Sequence, residues 1–441
     1  MRAGSVKGAL SVLPEANLAV ISVPGAFAAR EARLALERGQ HVMLFSDNVT
    51  LDDEVALKKL AVSKGLLLMG PDCGTAIVNG KPLCFANEVR RGGVGIVAAA
   101  GTGLQEVSVL IDRYGAGISQ AIGTGGRDLK NPAVGGMTAL LAIEALAADS
   151  MTTVITVVSK PPVPEVAEKV AARLKASGKP AVAFFLGLER KADDGKLLYA
   201  ANLEEAARLS ALLALGTAPG PARKQVEELM SRDSVEAALF PGKNAATTDL
   251  RAAAAEEAKL LSTGQKYLRG LFTGGTLCDE ALFLAHEALG RVYSNNHTNK
   301  EYVLQDPKKS REHTIVDLGD DVFTVGKPHP MIEPSLRNER LVKEAEDPET
   351  AVMLFDVVLG YGSHADPAGE LADAVAKARA AAKGRHIAAV ASVTGTEADP
   401  QSLGAQARKL QDAGIFVLPS NYRAAMFAVD IMRELAKRGE K

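Results

Sequence analysis

One turn is written twice in this 441-residue chain, and that repeat limits the fold more than any other feature. "GIVAAAGTGLQE" (95–106) and "GLFTGGTLCDE" (270–280) each run from an apolar stretch through glycine and threonine into carboxylates and a leucine-rich run. A strand that ends in glycine and passes at once into a capped helix is the opening of a βαβ unit. The surroundings repeat as well. A second strand ends in a Gly/Asp-rich turn in both copies, "GTGGRD" (123–128) and "DLGDD" (317–321), and a later strand ends beside prolines, "VVSKPPVP" and "VVLGYGSHADP". The pattern predicts an internal duplication of a whole α/β domain.

Short β-rich runs alternate with amphipathic helical runs along most of the chain, the sign of parallel sheets covered by helices. Residues 1–90 read as half of a doubly wound domain. Strands lie at 16–24 and 41–47, helices are closed by Gly39 and Gly65, and the run "LLLMGPDCGTA" (66–76) ends in a turn. A full domain needs a first βαβ unit upstream; that part is not expected within this chain, and its supply in trans is left open. Residues 91–215 carry strands at 93–100, 117–123, 152–159 and 180–187, with helices beginning at Leu104, Val134 and Pro164. Residues 216–262 are Pro/Gly-rich, then polar and alanine-rich, and read as a helical linker. From 263 to 441 the alternation resumes.

Composition closes off several function classes. With 51 basic and 53 acidic residues, no Trp and 4% aromatics, the chain has no footprint for nucleic acid or an anionic membrane surface. Cys73, Cys84 and Cys278 show no metal-ligand spacing, so no metal is expected and the location reads as cytoplasmic. The start lacks a signal-peptide pattern, and no apolar run reaches membrane-spanning length.

In open α/β sheets ligands sit beyond the carboxyl ends of strands, where loops enter helix N-termini. Gly101, Thr102 and Gly103, and likewise Gly274, Gly275 and Thr276, occupy that place. Their unpaired N–H groups suit a phosphate, acyl phosphate or carboxylate. The expectation is that the two turns face each other as halves of one anion site. No P-loop is present, and "GTGGRDL" is not a dinucleotide fingerprint, so ATP and Mg²⁺ chemistry is expected in a partner subunit.

The strings "VPGAF", "MGPDCGTA", "GIVAAAGTG" and "GTGGRD" resemble the α subunit of succinyl-CoA synthetase. "DLGDDVFTVGKPHPMIEPSLR" (317–337), "DVVLGYGSHADPAGEL" (356–371) and "VTGTEADPQ" (393–401) look like the FdrA branch of that superfamily. The resemblance implies a truncated Rossmann-like, CoA-binding-type region followed by two flavodoxin-like, CoA-ligase-type domains. It implies partner subunits and small anionic substrates: carbamoyl phosphate, phosphate, oxamate or oxalurate, or an acyl-CoA. The main functional expectation is a subunit of an oxamate carbamoyltransferase of allantoin breakdown, converting oxalurate and phosphate to oxamate and carbamoyl phosphate. The alternatives are an ADP-forming acyl-CoA synthetase subunit and a non-catalytic scaffold. The segment matching the family's phosphohistidine loop, "FFLGLERKADDGK" (184–196), contains no histidine, which excludes a phosphohistidine relay at that position and favours carbamoyl transfer.

The candidate residues follow. Arg127, beside Gly125 and Gly126, is expected to bind carboxylate or phosphate in bidentate fashion, oriented by Asp128. His329, in "GKPHPMIEP", and His364, in "GYGSHADP", are expected as acid/base or hydrogen-bonding groups. Pro71, Asp72 and Cys73 form a CoA-side turn, with Cys73 read as a buried thiol. Cys278 is expected to pack, with its pKa lowered by the helix dipole. Lys160 reads either as charge for the pocket or as a surface lysine. The Asp317, Asp320 and Asp321 turn reads as a magnesium ligand set or as a partner for a basic group.

Overall fold

The structure, a computed structural model, describes residues 6–231, 234–235 and 248–439. After a short helix (Val6–Val12), a three-stranded parallel sheet runs β1 (Leu18–Ile21), β2 (His41–Leu44), β3 (Leu68–Met69). Helices Gly25–Glu37 and Leu51–Ser63 connect its strands, and each ends just before a glycine of positive φ, Gly39 or Gly65. This is the half-domain expected for the first region.

A seven-stranded sheet follows. It contains β4 (Thr75–Val78), β5 (Lys81–Cys84), β6 (Arg91–Ala98), β7 (Ile118–Gly123), β8 (Val154–Ser159), β9 (Ala181–Phe185) and β10 (Leu197–Tyr199). The order is β10-β9-β8-β6-β7-β4-β5. The β4–β5 hairpin, which the sequence reading left inside residues 1–90, pairs antiparallel onto the edge of this sheet through Ile77 and Ala121.

Of the expected linker, helices Pro219–Ser231 and Leu250–Leu260 are described, with β11 (Ser234–Val235) paired antiparallel to β12 (Thr248–Asp249). The rest of that expectation, at 232–233 and 236–247, lies outside the described residues. The last sheet has β13 (Tyr267–Phe272), β14 (Val292–Tyr293), β15 (His313–Asp317), β16 (Thr350–Val358), β17 (Ala388–Thr394) and β18 (Phe416–Leu418), in the order β14-β15-β13-β16-β17-β18.

Set side by side, β7-β6-β8-β9-β10 and β15-β13-β16-β17-β18 have the same all-parallel order, 2-1-3-4-5, which is flavodoxin-like. The duplication is therefore one of topology as well as of sequence. Strand β16 is buried along its whole length, as a central parallel strand covered on both faces must be.

The two repeats share a single apolar core. Leu104, Val107 and Leu110 of the first repeat pack in one cluster with Leu277, Ala281 and Phe427 of the second. Polar exchanges pin this contact. Glu106 lies five residues beyond Gly101, and Glu280 five beyond Gly275. Glu106 reaches into the second repeat, accepting from Asn421 N (2.9 Å) and the Thr394 hydroxyl (2.5 Å). Glu280 reaches into the first, accepting from Leu203 N (2.8 Å), and it also accepts from Asn421 Nδ2 (2.8 Å). Each repeat thus satisfies a helix N-terminus of the other, groups that would be costly to bury unpaired. Among the described residues no helix is long and apolar enough to cross a membrane.

Candidate active site between the two turns

Because β6 and β13 are the first strands of their repeats, the turns that follow them lie at the switch points of their sheets. The packing of the repeats brings the turns together. A Cβ on Gly103 would stand 2.8 Å from Thr276 Cγ2, and one on Gly274 would stand 2.8 Å from Thr102 Cγ2. Only glycine permits that approach. Thr276 N donates to Thr102 Oγ1 across the gap (3.3 Å).

Above the turns lies a cavity of about 570 Å³. Gly101, Thr102, Gly275 and Thr276 form its base, Phe45 and Phe85 an aromatic wall, and its polar groups include Lys160, Asp317, His329, Gln105 and Lys327. The three-stranded sheet contributes its carboxyl-end loops at Ser22–Pro24 and Phe45–Asp47, together with Asp72.

The turns are alike in sequence but not in state. The N–H groups of Gly101, Thr102 and Gly103 find no acceptor among the described residues. In the second turn Asp356 has taken three donors: its Oδ1 accepts from Thr273 N (2.8 Å), and its Oδ2 from Gly274 N (2.7 Å) and the Thr273 hydroxyl (3.1 Å). Arg337 stands behind it, 3.6 Å from Oδ1. Thr276 N is held by Thr102, while Gly275 N and Leu277 N find no acceptor among the described residues. Val157 and Phe355 hold matching register beside β6 and β13, so the first repeat has Val158 where the second has Asp356.

Lys160 closes β8 and leans over the second turn. A side chain on Gly275 would meet Lys160 Nζ and Asp317 Oδ2, each at 2.6 Å. Burial works against the ammonium, but Asp279, 3.3 Å away, and Asp317 outweigh it and raise its pKa. Burial is also the main reason Asp317 is pushed up to about 7, against the pull of Lys160. Asp72 is open to the cavity yet walled in by protein. That enclosure raises it to about 6, with Lys160 opposing and Asp47 and Asp321 adding. Burial lowers His329 to about 4, so its imidazole is neutral at neutral pH. Its Nδ1 accepts from Met331 N (3.2 Å), which leaves the proton on Nε2. This ring can donate to an oxygen but offers no Nε2 lone pair to attack phosphorus.

Several expectations are corrected. Arg127 does not line the cavity, although its neighbour Gly126 does. Its guanidinium binds Glu54 (2.7 Å) and Val49 O (2.7 Å), because the helix Leu51–Ser63 lies alongside with Glu54 buried. Asp128, expected to orient it, instead pairs with Lys58 (2.7 Å) and accepts from Thr138 and Ala139 N. His364 is also outside the lining, its Nδ1 accepting from Asp366 N (3.1 Å). Cys278 packs as expected, but its thiol pKa is raised rather than lowered: burial dominates, and Asp317 and Asp279 add to it.

Gly125, at φ +82, packs tightly against Pro71 O, and this brings the "GTGG" loop against the Pro71–Cys73 turn. Cys73 is buried with its thiol raised to about 12, chiefly by desolvation. Asp317 lines the cavity, whereas Asp320 caps a short helix at Val322 N. Sequence reasoning missed Asp356, Phe45 and Phe85. Asp356 did leave a trace: a lone carboxylate inside the apolar run "AVMLFDVVLG".

Residues 271–431 match the family model described as CoA-ligase, and residues 90–187 match the CoA binding domain. The second match begins where the region read as CoA-binding-type ends. The YahF protein of Escherichia coli (strain K12) is similar at 48% identity over 443 residues, covering 100% of this chain and 81% of that protein. The succinate–CoA ligase [ADP-forming] subunit alpha 2 of Archaeoglobus fulgidus is 26% identical, covering 49% of this chain and 77% of its own length. Among solved structures, the apo form of the dinucleotide-forming acetyl-coenzyme A synthetase 1 of Ca. Korarchaeum cryptofilum aligns with 14% identity and a TM-score of 0.33. That alignment covers 96% of this chain and 84% of the other.

Proposed function

Since the chain belongs to the FdrA family of succinyl-CoA-synthetase-α-like proteins, we propose that it is the acyl-transfer subunit of an ADP-forming acyl-CoA ligase. In this reading residues 91–215 and 263–441 are the two ligase-type domains, 216–262 joins them, and 1–90 supplies the thiol side of the cavity. The observation that carries it is the cavity itself. Free backbone donors, a charged lysine and a neutral imidazole N–H converge there from different parts of the fold. Such donors stabilise the oxyanion that develops when an activated acyl carbonyl is attacked.

The lining suits part of CoA. Phe45, Phe85 and Met331 offer an apolar wall to a neutral thiol-bearing arm. When bound, CoA supplies the nucleophilic thiol. The chain's own residues hold the acyl group: Lys160 and Gly275 N face its oxygen, His329 donates from Nε2, and the apolar wall excludes water. ATP chemistry is assigned to a partner subunit, in keeping with relatives whose names describe them as ligase subunits.

Carbamoyl transfer from oxalurate to phosphate is a second reading, favoured by one specific observation. Gln105 lines the cavity, is 1% exposed, and keeps a buried Oε1 without a partner, an acceptor that a carbamoyl N–H would satisfy.

The test is to incubate the full chain, alone and with candidate partner subunits, with acetyl phosphate and CoA, and to follow thioester formation. Thioester that disappears in Gly275→Val is the expected result. Carbamoyl phosphate released from oxalurate and phosphate without CoA would replace it with the second reading.

A further inference from the structure

Thioester formation frees the proton of the attacking thiol, so the site needs a base. His329 is not that base: its Nε2 already carries a proton, and its Nδ1 accepts from Met331 N (3.2 Å). Among the described residues four carboxyls line the cavity, on Asp47, Asp72, Asp317 and Asp321. Asp47 and Asp321 are exposed, and Asp72 opens on the cavity by Gly126, whose Cβ would stand 3.9 Å from its Oδ2. Asp317 is buried and reaches the second turn, where a Cβ on Gly275 would stand 2.6 Å from its Oδ2. It is also held in place. Its N donates to Asn295 Oδ1 (2.9 Å), its O accepts from Asn295 Nδ2 (3.2 Å), and its Oδ1 accepts from Gly319 N (2.9 Å). Oδ2 makes no hydrogen bond among the described residues, because Lys160 beside it is paired with Asp279 (3.3 Å).

Resting on the acyl-transfer reading, we propose that Asp317 is the general base of the transfer, its Oδ2 taking the thiol proton beside Lys160. As the thiol sulfur bonds to the carbonyl carbon, that proton passes to Asp317, and the carbonyl π pair moves to the oxygen facing Lys160 and Gly275 N. Neutralising Asp317 in the same step removes one of the two anions that share the lysine, so more of its charge reaches the oxyanion. The bond from carbon to the phosphate oxygen then breaks. The departing phosphate takes the proton from Asp317, which returns to carboxylate, and atoms and charge balance. The groups facing Asp317 are Lys160 from the end of β8, Asp279 and Cys278 from the helix Gly275–Leu289, Asp320 from its own loop, and the neutral His329 beyond Gly319. Burial pushes its pKa up, Lys160 pulls it down, and Asp279 and Asp320 push it up again, to about 7, a value suited to a base at neutral pH.

Two measurements on the full chain test this. In the first, thioester formation from acetyl phosphate and CoA is followed against pH, with candidate partner subunits present. The wild-type rate should rise with pH through a limb near 7. Asp317→Asn should lower it by about 100-fold or more and abolish the limb. Asp279→Asn removes a like charge and should move the limb to lower pH, and Lys160→Met removes the opposite charge and should move it higher. Those two shifts keep the idea testable if Asp317→Asn misfolds. The second measurement needs no CoA: NMR of the chain labelled at its aspartate carboxyl carbons. One resonance should titrate near 7, vanish in Asp317→Asn, and shift in the same two directions. A limb or resonance that persists in Asp317→Asn, or that Asp279→Asn leaves in place, sinks the base role alone. A wild-type chain that forms no thioester sinks the acyl-transfer reading and the base role with it.

Discussion

Cysteine chemistry shows how far a residue's surroundings outrank its position. Cys278 lies in the first turn of a helix, where the dipole alone would favour a thiolate. Its burial against Asp317 and Asp279 reverses that. Cys73 is buried within hydrogen-bonding reach of Thr75 O and Gly123 O, and Cys84 is half-buried with its thiol also raised. A disulfide reagent at mildly alkaline pH should therefore modify Cys84 slowly and leave Cys73 and Cys278 untouched until the chain is denatured. Rapid reaction of Cys73 in the native protein would reopen it as a nucleophile. Arg127 makes the same point for cations. A guanidinium beside a glycine-rich loop looks like an anion receptor in sequence, but a buried carboxylate 73 positions earlier claims it.

At the scale of elements, the two helices that begin at the turns do two jobs. Their first residues floor the cavity, and one turn later their glutamates hold the opposite repeat. Replacing Glu106 with alanine leaves Asn421 N and the Thr394 hydroxyl buried without their acceptor. The cost should be about 1–3 kcal/mol for each group left unpaired. Urea unfolding would read it as a lower midpoint. Glu256→Ala, which removes an exposed pair with Lys259, should change stability by less than about 1 kcal/mol. Equal effects from the two variants would argue against the exchange as the lock between repeats.

For the whole molecule, three buried or enclosed carboxyls give stability a pH dependence. Glu280, pushed up to about 8 chiefly by burial, joins Asp317 at about 7 and Asp72 at about 6. Each folded-state pKa exceeds its unfolded value, so the folded protein binds these protons more tightly. Their contribution is full below the ordinary carboxylate range and is lost as pH rises through 6, 7 and 8. Thermal unfolding should shift to lower temperature between pH 5 and 9, values bracketing the three titrations. Glu280→Gln, which mimics the protonated state, should flatten the upper part of that slope. An unchanged slope in this variant would remove Glu280 from the account.

Local pattern by itself determined the strand and helix sequence, the duplication, the family resemblance and the placing of both glycine–threonine turns at strand ends. These follow from apolar periodicity and from glycine, and both act over a few residues. Only the tertiary structure decided which groups meet. It joined the β4–β5 hairpin to the second sheet, drew Arg127 and His364 away from the cavity, and brought His329 and Lys160 into it. It also filled one turn with Asp356 and left the other open. Each of those outcomes depends on partners tens to hundreds of residues apart. Hydrogen bonds and charges are claimed by whichever group folding brings within about 3 Å, and sequence spacing does not encode that distance.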